Sequence, residues 1–176
     1  TIRFVTTRHE QATGFMADGY ARVTGRPGTT LVVPGPGIYN AGTGIATAYA
    51  ASSPVLQLAG QVDLAGIGLG NSLAHEVHDQ LDLVRPITKR AERVTDADRL
   101  PGAVHDAFVA MRSGRPRPTH LEVPPEVLAA ATTAPLLPAA DPDPAAADPE
   151  LVARAVALLA GARNPLVIAG GGIHPA

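Results

Sequence analysis

The sequence predicts an α/β fold built on a doubly wound parallel sheet. Short apolar runs alternate with stretches of helical spacing along most of the 176 residues, the pattern of strand–helix–strand units. The runs Leu31–Val33 and Val55–Ala59 lack the polar alternation of a half-exposed strand and read as strands covered on both faces. Glycine and proline punctuate the junctions, as at Gly25, Pro27 and Gly28 and at Pro34–Gly37.

Each element follows from this pattern. Ile2–Thr7, with Phe4 and Val5, reads as a strand. Glu10–Val23 reads as a helix with Phe15, Met16, Tyr20 and Val23 at helical spacing, ended by Gly25. Thr30–Val33 is a short strand, Ala41–Ala51 a helix of small residues, and Val55–Ala59 the next strand. Gly66, Gly68 and Gly70 make a flexible loop. Val77–Val84 is a weaker helix stopped at Arg85-Pro86, and Asp96–Met111 is a helix with Ala103, Val104, Ala107, Phe108 and Met111 inward. Thr119–Val123 is the last strand of the domain. The Ala, Pro, Asp and Thr of Ala129–Pro149 cannot build a core and read as a linker. Asp148-Pro149-Glu150 opens a helix to Leu159, and Asn164–Gly172 reads as a strand and glycine turn. The expected division is a first domain over residues 1–128, a linker over 129–148 and the beginning of a second α/β domain over 149–176. A strand at each end with no sheet around it gives the expectation of an interior piece of a longer chain, whose intact first domain holds about six strands.

Composition excludes several classes. A formal charge of −2 leaves no basic footprint for nucleic acid or an anionic membrane. No apolar run approaches the ~20 residues of a membrane span. The absence of cysteine removes disulfide and thiolate chemistry and fits a reducing, cytoplasmic setting.

Glu10 is the first candidate for chemistry. It follows an apolar run and opens a helix, which places its carboxylate at the carboxyl end of a sheet, where clefts of open α/β sheets lie. A carboxylate at a helix N-terminus is also simply good electrostatics, and position alone leaves both readings open. Gly35-Pro36-Gly37 after a strand fits a dinucleotide turn poorly, because Asn40 stands where the last glycine belongs. A tight strand-to-helix turn remains compatible. In His75-Glu76-Val77-His78-Asp79 the histidines are spaced i, i+3 rather than the i, i+4 of a zinc helix, so no metal ligand is expected.

Taken together, these motifs resemble a known family. Arg8-His9-Glu10-Gln11, Asp18-Gly19-Tyr20-Ala21-Arg22, Gly25, Gly35-Pro36-Gly37, Asn40, Thr43–Tyr49, Pro54, Gly60-Gln61-Val62, Arg85-Pro86, Lys89 and Gly114-Arg115-Pro116 stand in its order and spacing. The stretch is similar to the pyrimidine-binding domain of thiamine-diphosphate enzymes, in the acetolactate-synthase-like branch. The resemblance implies a thiamine-diphosphate-dependent decarboxylase or carboligase, a lyase or transferase acting on a 2-oxo acid, with this piece alone inactive. It implies that Glu10 hydrogen-bonds the cofactor's aminopyrimidine and so promotes loss of the thiazolium proton, a task suited to a carboxyl whose proton affinity burial can raise. Pro36, Gly37, Asn40 and Gln61 are implied to lie by the cofactor, with simple backbone capping equally open for Gln61, and His75 and Glu76 to contact substrate, with a solvated helix start as the competing reading.

The chain departs from the Phe-Gln-Glu run usual in acetolactate synthases, and Asp79-Gln80-Leu81 resembles oxalyl-CoA decarboxylases and 2-hydroxyacyl-CoA lyases of the same superfamily. That is one alternative; a non-catalytic scaffold homologue is another, against which Glu10 argues. Mg2+ and the diphosphate are implied to be held by a Gly-Asp-Gly…Asn motif of a separate C-terminal domain, absent from this sequence. FAD binds the central domain of some relatives, and Gly170–Gly172 alone do not support it. A homodimer or homotetramer is implied, with the small residues Gly14, Ala17, Gly44 and Ala48 suited equally to close helix packing across its interface and to packing on their own sheet. His9 is expected to be buried and hydrogen-bonded.

Overall fold

The computed structural model describes residues 2–139 and 146–173. Four parallel strands form one sheet in the order β1-β2-β4-β3. They are β1 (Gly28–Val32), β2 (Val55–Gly60), β3 (Arg90–Arg93) and β4 (Thr119–Val123). Leu31 pairs with Leu58, and Leu58 with Leu121. The α-helices among the described residues are α1 (Glu10–Thr24), α2 (Pro36–Ala51), α3 (Gln80–Val84), α4 (Leu100–Arg112), α5 (Pro125–Ala129) and α6 (Pro149–Gly161).

The sheet is covered on both faces because alternate residues of a strand point opposite ways. Leu56 of β2 and Leu121 of β4 pack with Ala103, Ala107 and Met111 of α4. Val55 packs with Ala17 and Ala21 of α1 and with Ile45 and Ala48 of α2, while Ala59 packs with Ile38 and Ala41 of α2 and Val84 of α3. The expected doubly wound α/β architecture is therefore present. The inward residues expected for α4 are also found, with Val104 and Phe108 packed at the margin of the core.

Three local expectations are corrected. Ile2–Thr7 forms no strand, and Ile2, Phe4 and Val5 are exposed; a strand needs a ladder partner for its backbone, and none of the described residues supplies one. The same holds for residues 164–172, where Leu166, Val167 and Ile168 are exposed and only a short 3₁₀ turn, Gly171–Ile173, forms. In the first helix the buried face is Gly14, Ala17, Asp18 and Ala21, not the larger apolar residues. Phe15, Met16, Tyr20 and Val23 face outward. The sequence reading missed β3, an edge strand of the residues Arg-Ala-Glu-Arg. Charge on an edge strand blocks further pairing and hides it from a search for apolar runs. Arg90 there pairs with Glu92 at 2.6 Å and Asp106 at 3.3 Å.

The chain divides into two units, residues 1–142 and 143–175. Residues 130–139 and 146–148 carry neither helix nor strand; residues 140–145 of the expected linker, and 174–176 of the expected second domain, lie outside the described residues. In the second unit α6 begins at Pro149 after Asp148, whose side chain accepts the Glu150 N–H at 2.9 Å.

Candidate active site

Two helix starts build the site. His9 caps α1: its Nδ1 accepts the Gln11 N–H at 3.1 Å, and the imidazole is exposed rather than buried as expected. Glu10 is thus the first residue of α1. The second start is the turn after β1. Gly35 takes φ +53 and Pro36 follows at the first helical position of α2, a place suited to proline.

Glycine brings these starts together. A Cβ on Gly44 would lie 2.7 Å from the backbone of Gly14, and one on Gly14 would lie 3.0 Å from the carbonyl of Ala41. Only a pair of glycines allows α1 and α2 to approach this closely. Glu10 precedes Gly14 by one helical turn, and Asn40 precedes Gly44 by one turn, so both share the faces that meet. The outcome is a hydrogen bond: Asn40 Nδ2 donates to Glu10 Oε2 at 3.0 Å. Thr13 ties the same turn to the sheet, with its hydroxyl donating to the Glu10 carbonyl at 2.7 Å and lying 3.0 Å from the Thr30 hydroxyl. Gly14, Ala17, Gly44 and Ala48 are buried within the chain, the second of the two uses their small size left open.

The electrostatics of Glu10 also differ from expectation. Its own backbone N–H at the helix start and the Asn40 amide hold the carboxyl below its ordinary value. It is half-exposed, so desolvation does little to oppose them. Glu10 is therefore an ionised hydrogen-bond acceptor at neutral pH.

The other predicted residues lie at varied distances from this chemistry. Pro36 is exposed and Gly37 buried against Val33, whose Cγ2 would be 2.7 Å from an added Cβ. Gln61 turns inward: its Nε2 donates to Glu122 Oε1 at 3.1 Å and its Oε1 accepts the Val62 N–H at 2.7 Å. Glu76 organises its own loop, accepting the N–H groups of Gly70 and Asn71 on Oε1 and of Leu73 on Oε2. His75 adopts φ +66, and its carbonyl lies where a Gly35 Cβ would come within 2.3 Å. The loop thus abuts the Gly35 turn through backbone, while the His75 ring is exposed. Among the described residues no cluster of three His, Asp or Glu side chains could hold a metal, and no helix is long and apolar enough to cross a membrane.

Glu122 and Gln80 were not read as site residues. Both are wholly buried. Burial pushes the Glu122 carboxyl up, but nearby His120, the Arg93 guanidinium and the Gln61 amide outweigh it and hold the group below its ordinary value. His120 Nε2 is 3.7 Å from Glu122 Oε2, too long for a hydrogen bond, while its Nδ1 lies 3.1 Å from Gln57 Oε1. The available signal was the pair His120 and Glu122 on one face of an otherwise apolar strand, since buried polar groups demand partners.

Fold and site together define an α/β cofactor-binding domain with a carboxylate presented between two helix starts. Residues 1–85 belong to the thiamine pyrophosphate enzymes, matching the family described as "Thiamine pyrophosphate enzyme, N-terminal TPP binding domain". The chain is 42% identical over 173 residues to a probable 2-ketoarginine decarboxylase of Pseudomonas aeruginosa, covering 97% of this chain and 31% of that protein. It is 37% identical over 177 residues to the acetolactate synthase isozyme 3 large subunit of Escherichia coli, covering 97% and 30%. A probable acetolactate synthase large subunit of Methanocaldococcus jannaschii is 37% identical over 180 residues, with 96% and 29% covered. The chain therefore spans about a third or less of the length of these curated relatives.

Proposed function

We propose that the protein containing this chain is a thiamine-diphosphate-dependent decarboxylase or carboligase acting on a 2-oxo acid. The observation that carries it is the Glu10 carboxylate, set by Asn40 and the Gly14–Gly44 contact at the mouth of the first domain. The residues fit the cofactor's pyrimidine half. Glu10 is ionised and half-exposed, its partner Asn40 is exposed beside it, and Pro36, at the start of the same helix as Asn40, is exposed too. When bound, thiamine diphosphate supplies the electron sink for cleavage next to the substrate carbonyl. Glu10 would hydrogen-bond the pyrimidine ring and so favour the form whose ring nitrogen carries a proton, Asn40 would keep that carboxylate oriented, and Pro36 and Gly37 would shape the approach. Gln61 supports the site from beneath, and His75 and Glu76 hold the loop that borders the substrate side.

Both chemistries named among the relatives, decarboxylation of 2-ketoarginine and acetolactate synthesis, fit this reading. Mg2+ and the diphosphate belong to residues outside this chain. Gly170–Gly172 by themselves do not support a flavin. Residues 129–148 are read as the connection between the pyrimidine domain and a following one, and the cytoplasm as the compartment. Calorimetric titration of the full-length protein with thiamine diphosphate, with and without Mg2+, tests the function. Saturable, Mg2+-dependent binding is the expected result, and no binding under either condition would reject it.

We further propose a homodimer or pair of dimers. Phe15, Met16 and Tyr20 on the outer face of α1, together with Tyr39, are between 41% and 59% exposed, an apolar surface of the kind subunit contacts bury. Sedimentation of active full-length protein should give a dimer or tetramer; an active monomer would refute the proposal.

A further inference from the structure

The carboxyl ends of all four strands meet on one buried pair, Gln80 and Glu122. Gln80 uses its whole amide. Oε1 accepts the N–H of Gly35 beyond β1 at 2.9 Å. Nε2 donates to the Gly60 carbonyl that ends β2 at 2.8 Å and to Glu122 Oε2 on β4 at 2.9 Å. Glu122 Oε1 in turn accepts from Gln61 Nε2 and from Arg93 Nε, at the end of β3. Asp79, which caps α3, lies 3.9 Å from Arg93.

A core of apolar residues of similar volume would often stabilise a fold as well as such a network. What the network adds is a grip on Gly35. That residue holds φ +53 and ψ −107, a conformation only glycine adopts readily, and its carbon edge faces the His75 carbonyl. A backbone so placed needs to be held. The residues that follow it are those of the site: Pro36, Gly37 and then Asn40, which donates to Glu10.

We propose that Gln80 and Glu122 are positioning residues: they clamp Gly35, the clamp sets the first turn of α2, and that turn sets Asn40 against Glu10. The proposal rests on Glu10 being the cofactor-facing carboxylate, but the clamp is a property of the protein without cofactor.

Two variants of Gln80 in the full-length protein test it by amide hydrogen exchange over residues 33–40. Gln80→Met removes the acceptor for Gly35 and both donors. The protection of this segment should fall by about tenfold, the worth of one buried hydrogen bond, while protection of α4 stays unchanged. Gln80→Glu puts a second carboxyl against Glu122, in a pocket also faced by Arg93, His120 and Asp79. Two carboxyls this close share a proton; either form still accepts from Gly35, but only the protonated form donates to Glu122, and the doubly ionised pair repels and pulls the clamp apart. Protection should then match the wild type at low pH and fall as pH rises. In the loaded enzyme, proton exchange at the thiazolium carbon should slow by about tenfold in Gln80→Met and follow the same pH course in Gln80→Glu. Wild-type protection of residues 33–40 in a folded Gln80→Met protein overturns the clamp. If Gln80→Met does not fold, pH-independent wild-type protection in Gln80→Glu overturns it. Failure of the wild type to bind thiamine diphosphate would instead reject the reading of Glu10, with the amide measurement still deciding the clamp.

Discussion

Glu10→Gln in the full-length protein is expected to slow proton exchange at the thiazolium carbon of bound cofactor by about 10²–10⁴-fold, the range for loss of one placed acid–base group. The substitution keeps the size of the side chain and leaves an amide that can still meet Asn40, so the helix starts should keep their arrangement. What disappears is the charge. In the native site the helix-start N–H and Asn40 hold the carboxyl below its ordinary value, which keeps it ionised and able to accept a hydrogen bond from a ring N–H. A neutral amide accepts far less strongly. NMR-monitored exchange of the bound cofactor measures the effect, and an unchanged rate would remove Glu10 from the mechanism. Asn40→Ala should give a smaller loss, because it removes the orienting bond and leaves the charge.

Gly44→Val is expected to destabilise the protein by about 2–3 kcal/mol, the upper range of overpacking costs. An added Cβ would meet Gly14 and Phe15 backbone atoms at 2.7 Å, and backbone in the middle of a helix cannot step aside as a flexible side chain can. Relief would come from parting α1 and α2, which would also stretch the Asn40–Glu10 bond one turn away. The variant should therefore lose thiazolium proton exchange along with stability. Gly19→Ala is the control. Gly19 sits on the same helix with nothing within 4 Å of an added Cβ, and it should gain about 0.5–1 kcal/mol from helix propensity. Denaturant titration of the three proteins checks both signs; equal stability of Gly44→Val and wild type would show that the helices do not rely on the glycine contact.

The carboxylate at the start of α1 was legible in the sequence. Glu10 stands beside a helix-capping residue after an apolar run, and the surrounding motif carries the family resemblance. The turn around Gly35 and Pro36 was legible too, because proline at a first helical position and glycine at positive φ are local preferences. The same local logic placed β4 at Thr119–Val123 and the inward face of α4. Local logic failed where apolar residues have no local reason to be inside or outside. Phe15, Met16, Tyr20 and Val23 form a helical stripe, yet the side of α1 turned to the core is the one with the smallest residues. Large side chains on that face would hold the helices apart, whereas the Gly14–Gly44 contact lets their backbones meet.

By itself, then, the sequence determined the fold class, the order of most elements and the family, because these rest on local periodicity, capping and a dense motif. Tertiary structure alone decided which side chains are joined. Gln80 and Glu122 are 42 residues apart, and neither belongs to a motif that announces the other. Gln61 and Glu76, read as contacts for cofactor and substrate, turn to Glu122 and to their own loop. The reason is physical: a buried amide or carboxylate must find its partners wherever the folded chain brings them, and strands adjacent in space but distant in sequence bring partners that no window along the chain contains.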